Sequence, residues 1–257
     1  MQKFQATLAA ILIIISTSLV AEDAMSVTSP THRVALLELY TSEGCNSCPA
    51  AEKWLGQLTS KGYSSDKVIP IALHVDYWDY LGWRDIYSDR RHSQRQQQHV
   101  QRNKLATAYT PQLILNGKNL RPSRLLKGRL KIINAQTASI KIELSAHMLE
   151  NNQLAVTSHI YPVQNSAIEA KILFLALVED DIDSNIKSGE NAGRTLKHNG
   201  VTRSLLEPVS LNSDKATKIE RIISIPKDAN QDKLSIVAFV EAEPGIILQA
   251  VKLNLVH

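Results

Sequence analysis

The stretch Ala35–Trp54, ALLELYTSEGCNSCPAAEKW, holds both cysteines of the chain, Cys45 and Cys48. An apolar run from Ala35 to Tyr40 leads into a short polar turn, the thiols lie three apart, and Pro49 opens AAEKWLGQL, whose apolar residues recur at helical spacing. The pattern predicts strand, turn, C-x-x-C, helix. Proline suits a first helical turn, where its missing N–H costs nothing. Cys45 is therefore expected just before the helix and Cys48 within its entrance. Unpaired N–H groups and the helix dipole favour a thiolate there. Cys45 is the candidate nucleophile and Cys48 the candidate resolving thiol, and the pair can close a disulfide if the Cα atoms fall within about 4.4–6.8 Å.

The chain has 257 residues, enough for two ordinary domains or one large one, and its 44% hydrophobic content supplies material for cores. Lys3 precedes LAAILIIISTSLVA, an apolar run of signal-peptide length, interrupted too soon by Glu22 and Asp23 for a membrane span. Residues 1–21 are read as a signal peptide and 22–32 as a polar, turn-rich tether. The expected location is exported, periplasmic or extracellular, with no stable membrane span after cleavage. In such a compartment a lone C-x-x-C is redox-active or oxidised rather than a zinc site. Zinc would want four ligands, and neither a second C-x-x-C nor a close histidine pair supplies them, so no metal or cofactor is expected. Cleavage removes Lys3 and takes the formal charge from +4 to +3. Dispersed basic residues and 5% aromatic content argue against nucleic acid as a partner.

In VALLELY, Glu38 has apolar neighbours on both sides. In a central strand its carboxyl would be desolvated, its pKa raised, and it could move the proton that thiol exchange requires. An exposed strand face or an arginine partner is the alternative. After the helix, VIPIALHV over 68–75 reads as a strand covered on both faces. Strand, helix, strand makes a right-handed βαβ unit with both strand ends on one side of the sheet. That brings HVDYWDYLGWRD beside the dithiol, with His74, Asp76, Trp78, Asp79 and Trp83 as candidates to line one crevice; simple packing of a long loop by the tryptophans is the alternative. Residues 84–108 read as a mostly solvated helical connection. AYTPQLILNGKNL then predicts a strand over 112–115, preceded by Thr110-Pro111 and followed by an Asn116-Gly117 hairpin.

TSEGCNSCP, a later Thr-Pro before a strand, and a hairpin closing the sheet together resemble the thioredoxin-like fold. More narrowly, ELYTSEGCNSCPAAE, HVDYWDYLGW, YTPQLILNG and GENAGRTLKHN resemble a family of predicted secreted bacterial proteins classed as a domain of unknown function. The resemblance runs from about Val34 to near the C-terminus. It implies Cys45 as attacking thiol, Cys48 as resolving thiol, and Thr110-Pro111 as a cis-proline loop whose backbone binds substrate. It also puts Glu38 near the buried acid of thioredoxins, one residue further upstream. Gly44 departs from the tryptophan of that pattern and implies a more open sulfur.

Beyond Leu130 the sequence alternates in strand-like runs, SIKIELSAHM, LAVTSHIYP, AKILFLALV, TRSLLEPV, KIERIISIP, LSIVAFVEA and IILQAVKLNL. These predict an all-β, immunoglobulin-like sandwich over 138–257, after an α/β thioredoxin-like domain over 33–137. The loop IKSGENAGRTLKHNGVTR, with Arg194, Lys197, His198 and Arg203, could bind an anion or cover the dithiol crevice; it reads as an ordered connection, with interdomain contact as the sharper alternative.

The functional expectation is an exported thiol–disulfide oxidoreductase acting on an unknown redox partner protein or a small thiol, with His74, Asp76, Trp78, Asp79, Thr110 and Pro111 around the substrate. Two alternatives are a soft-metal carrier that holds copper with both thiolates and His74, and a structural or adaptor protein with an inert disulfide.

Overall fold

The computed structural model describes residues 24–163, 171–211 and 215–255. The expected signal peptide lies outside them. In chain order the strands and helices are β1 (Met25–Thr28), β2 (Ala35–Thr41), α1 (Cys48–Gly56), β3 (Val68–His74), α2 (Arg90–Arg102), β4 (Gln112–Leu115), β5 (Lys118–Asn119), α3 (Leu126–Asn134), β6 (Ile140–Leu149), β7 (Gln153–Pro162), β8 (Lys171–Glu179), β9 (Ile182–Asn185), β10 (Thr195–His198), β11 (Val201–Leu205), β12 (Val209–Leu211), β13 (Thr217–Ser224), β14 (Leu234–Ala242) and β15 (Ile246–Asn254).

The apolar run around Glu38 is strand β2, buried along its whole length. It pairs in parallel with β3, from Ala35 opposite Val68 to Thr41 opposite His74. It pairs antiparallel with β4 on its other side. The turn after β4 is Asn116-Gly117, both at positive φ (47° and 78°), which suits a tight hairpin and brings Lys118 opposite Leu115.

One sheet of nine strands crosses the boundary expected at 137/138. Its order is β15-β14-β8-β11-β3-β2-β4-β5, with β12 also on β8. The joint is the parallel bridge of Val201 in β11 to Ala72 in β3. A second sheet, β1-β6-β7-β13, includes residues from the expected tether, because Met25–Thr28 pair antiparallel with Glu143–Ala146.

Three cores follow from side-chain alternation. Leu173, Leu175 and Leu177 of β8 meet Ile142, Leu144 and Val156 of the four-stranded sheet. On the opposite face of the large sheet, Leu36, Tyr40, Ile69 and Ile71 form one continuous cluster with Ala176, Val178, Val237 and Phe239. Ala35, Leu37 and Leu39 face Leu55 and Leu58, on and just past α1, and Leu126 and Leu130 of α3. Helix α1 therefore packs on the face of β2 that Glu38 does not occupy.

The 84–108 connection is helical over Arg90–Arg102, as expected, but one stripe of that helix is buried rather than solvated. Asp89 caps the N-terminus of α2 by accepting from the Arg91 N–H, and His92, Arg95, Gln96, His99 and Val100 are buried. The spacing makes one helical stripe, but a mostly polar one, and its partners explain the burial. Arg95 Nε donates to Glu38 Oε1 at 2.6 Å, and its Nη2 lies 2.9 Å from Glu241 Oε2 on β14. The guanidinium also lies over the stacked rings of Phe174 and Phe239, 4.6 and 5.2 Å from their centroids. His99 Nε2 sits 3.1 Å from Glu38 Oε2. Burial alone would push the Glu38 carboxyl up, but Arg95 and His99 override it and hold the group well below the usual carboxylate range.

Two outcomes are expected. Arg95→Met leaves Glu38 and Glu241 without their shared cation and lowers unfolding free energy by about 3–5 kcal/mol, read by denaturant titration. An unfolded glutamate takes a proton near pH ~4.3, while folded Glu38 resists it to much lower pH. Its stabilising contribution is therefore complete above roughly pH 5 and is lost as pH falls. Glu38→Gln flattens the decline of Tm between about pH 5 and pH 3; an unchanged acid slope would contradict the assignment.

Candidate functional site

Cys45 and Cys48 are joined as a disulfide with a Cα–Cα separation of 5.5 Å. Cys48 is the first residue of α1, with Pro49 in the first turn, so the sulfurs lie at the positive end of the helix dipole. Ser47 Oγ is 3.4 Å from Cys45 Sγ.

The expectation of an open sulfur beside Gly44 is corrected. Cys45 is only 1% exposed and Cys48 is fully buried. Trp78 closes one side: a Cβ on Gly44 would lie 3.3 Å from Trp78 Cβ. The segment between β9 and β10 closes another. Asn191 is buried, and its Nδ2 donates to the carbonyls of Glu43 (2.8 Å) and Cys45 (3.1 Å). Asn46 N–H donates to Glu190 Oε2, and Ser188 Oγ to the Gly82 carbonyl. The glycine-bearing loop that reads as an ordered connection is also a cover over the dithiol.

Thr110-Pro111 is a cis peptide at the start of β4. It stands one step beyond the β2–β4 pair of Tyr40 with Gln112, level with the chain end that runs toward the cysteines. Trp78 Nε1–H donates to Thr110 Oγ1 at 2.8 Å, so one tryptophan touches both Gly44 and the proline loop. Buried Gln96 of α2 braces this loop by donating to the Tyr109 carbonyl and to Gln112 Oε1. A groove of about 340 Å³ opens along Tyr109, Thr110, Pro111 and Leu113.

The remaining sequence candidates separate. Glu38 lies on the other sheet face, ion-paired with Arg95, and does not sit beneath the dithiol. Asp76 accepts from Ser93, and Asp79 from Ser88 and the Asp85 N–H, so both acids hold the loop after β3. Burial pushes the Asp79 carboxyl up. Trp83 Nε1–H donates to Glu43 Oε2 at 2.7 Å. His74 is fully buried at the end of β3, on the α1 face beside Thr41.

Glu52, one helical turn past Cys48 on the same face of α1, is one of three buried carboxylates on this side, with Glu43 and Asp85. Thr41 Oγ1 donates to Glu52 Oε1, and His198 Nδ1 to Glu52 Oε2. His198 Nε2 faces Glu43 Oε1 at 3.3 Å. His74 Nδ1 pairs with Asp85 Oδ2 at 2.6 Å, and the two imidazole rings lie 5.3 Å apart, edge to face. Burial alone would lower His198, but Glu43 and Glu52 raise it to about 10. Burial likewise works against protonated His74, and Asp85 reverses this to raise it. Burial would raise Glu52 and Asp85, and their histidines hold both below the ordinary range. One donor atom each from Glu52, His74 and His198 lies within 4.8 Å of the others, a set able to hold a metal ion.

Glu43, Glu52, Asp85, Asn191 and His198 were not singled out as site residues from sequence. Glu52 carried one usable signal, an acid four residues after Cys48 on a face otherwise apolar. His198 was named from sequence only as one of the residues of the glycine-bearing loop, and nothing there pairs it with Glu52, 146 residues away.

No helix of the described residues is long and apolar enough to cross a membrane. No curated protein matches the chain. Among solved structures, the fold is similar to a structural-genomics target from Agrobacterium tumefaciens, with 21% identity, TM-score 0.62, and coverage of 87% of this chain and 96% of that one. It is also similar to HBP35 of Porphyromonas gingivalis, with 16% identity, TM-score 0.67, and coverage of 88% and 76%. At these identities the likeness concerns the fold alone. The family model described as protein of unknown function (DUF1223) matches residues 36–241, and the chain belongs to that family.

Proposed function

We propose that the protein is an exported thiol–disulfide oxidoreductase with a thioredoxin-like arrangement around its C-x-x-C. The observation that carries this reading is the Cys45–Cys48 pair at the positive end of α1, with the Thr110-Pro111 loop held level with it through Trp78. The strand order β3-β2-β4-β5 supports the arrangement. The apolar leader supports export, to a periplasm or beyond the cell, where disulfides persist.

In the reduced protein the Cys45 thiolate attacks one sulfur of a substrate disulfide. That S–S bond breaks, the leaving thiolate takes a proton, and Cys45 holds the other half as a mixed disulfide. Cys48, deprotonated, attacks Cys45 Sγ and releases the second substrate thiolate. The substrate gains two electrons, and the protein ends as the Cys45–Cys48 disulfide. The reverse sequence oxidises a dithiol. A protein chain or a small thiol would approach along the groove at Tyr109, Thr110 and Pro111, and Asn191 must move aside for Cys45 to be reached.

The 1% exposure of Cys45 favours a second reading, in which the disulfide only braces the cover segment. A reduction potential well below roughly −300 mV would establish that reading over exchange. The copper-carrier alternative needs both sulfurs as free thiolates, whereas Cys45 and Cys48 are joined as a disulfide.

Two measurements test exchange. Cys48→Ser accumulates a mixed disulfide through Cys45, detected by intact mass after incubation with a disulfide substrate; absence of an adduct in both Cys48→Ser and Cys45→Ser sinks the proposal. Asn191→Ala removes two hydrogen bonds from the cover, and reduction of the disulfide by dithiothreitol accelerates about tenfold, because each bond is worth about 0.5–1.5 kcal/mol.

A further inference from the structure

We propose that Glu52, His74 and His198 form a binding site for one divalent transition-metal ion of the zinc class, beneath the helix end that carries the dithiol. The site stands whether or not the cysteines exchange disulfides. It also departs from the sequence expectation, because its ligands come from α1, β3 and β10 and share no spacing motif.

The donor atoms converge within 4.8 Å of one another, and all three residues are buried. The second observation is His74 Nε2, a fully buried nitrogen with no hydrogen-bond partner. Its orientation is set from the other side, where Nδ1 pairs with Asp85 at 2.6 Å. A carboxylate that fixes one ring nitrogen while the other stays free is the arrangement that orients histidines for metals. His198 differs in that both ring nitrogens face carboxylates: Nε2 faces Glu43 at 3.3 Å as an outer partner, and the Nδ1 contact with Glu52 gives way when both residues ligate an ion. Thr41 holds the remaining oxygen of Glu52. Each of the three ligands thus has an outer partner, supplied by Asp85, Glu43 and Thr41.

Two imidazoles and one carboxylate select the ion. Calcium and magnesium prefer all-oxygen shells, whereas imidazole suits zinc and its first-row neighbours. Two histidines with one glutamate is a known zinc ligand set that leaves a fourth position open. Binding displaces the proton between His198 Nδ1 and Glu52, so metal uptake releases a proton. Since the site is enclosed, the ion enters as the chain folds or when the β9–β10 segment opens.

The test uses the untagged full chain with its cysteines oxidised, refolded from guanidinium with EDTA, exchanged into metal-free buffer and titrated with zinc alone. Mass spectrometry of the desalted protein is expected to find one zinc per chain, with a rise in Tm. Glu52→Gln and His74→Gln weaken binding at least about 100-fold, and Asp85→Asn about 10–100-fold. The double variant Cys45→Ser/Cys48→Ser keeps one zinc per chain. Wild-type protein that retains no zinc, equal retention by the Glu52 and His74 variants, or loss with the cysteines would each overturn the site. If those variants do not refold, cobalt in wild-type protein decides. A d–d spectrum without sulfur charge transfer supports the site, and a sulfur band or no spectrum overturns it.

Discussion

A single guanidinium, that of Arg95, is enclosed between Glu38 of β2, Glu241 of β14 and the stacked rings of Phe174 and Phe239. A buried cation is tolerated only when its charge is balanced, and Glu38 and Glu241 supply the opposing carboxylates together. Glu38 belongs to the first half of the chain, Glu241 and both phenylalanines to the second, and Arg95 to the helix between them. The ion pairs therefore clamp α2 across the seam where β11 joins β3 and the large sheet becomes continuous. Gln96, the next residue of the same helix, holds the Thr110-Pro111 loop. The position of the proline loop thus depends on the anchorage of Arg95.

That seam also delivers second-half residues to the cysteines. The chain leaving β8 forms the β9–β10 hairpin over the dithiol before returning as β11 beside β3. Asn191 at the hairpin tip takes the carbonyls on either side of Gly44, and His198 at the end of β10 reaches Glu52 and Glu43. The cysteine motif belongs to the first half, but its cover and part of its electrostatic surroundings belong to the second.

Two buried acids on β2 and α1 meet different fates for a simple geometric reason. Alternation along β2 sends Glu38 to the α2 face, where arginine and histidine neutralise it. The helical period sends Glu52 under Cys48, toward His198. The acid named from the strand pattern is therefore a structural anchor, in line with the arginine-paired alternative. Glu52 lies instead on the helix, four residues after Cys48 and on the same buried face.

From the sequence alone came the local pieces: the β2–α1–β3 unit, Cys48 in the helix entrance, the Asn116-Gly117 hairpin and the main strands of the second half. Each is written in short-range periodicity or turn chemistry. The sequence also identified the family-like motifs and Thr110-Pro111 as a unit to set against the cysteines. Only the tertiary structure decided which sheet face Glu38 occupies, that the stripe of α2 is polar and buried, that Met25–Thr28 is a strand, and that Asn191 covers Cys45. It alone joined Glu52, His74 and His198. These depend on contacts between residues tens to more than a hundred positions apart, where charge is balanced across elements and no local pattern records the partner.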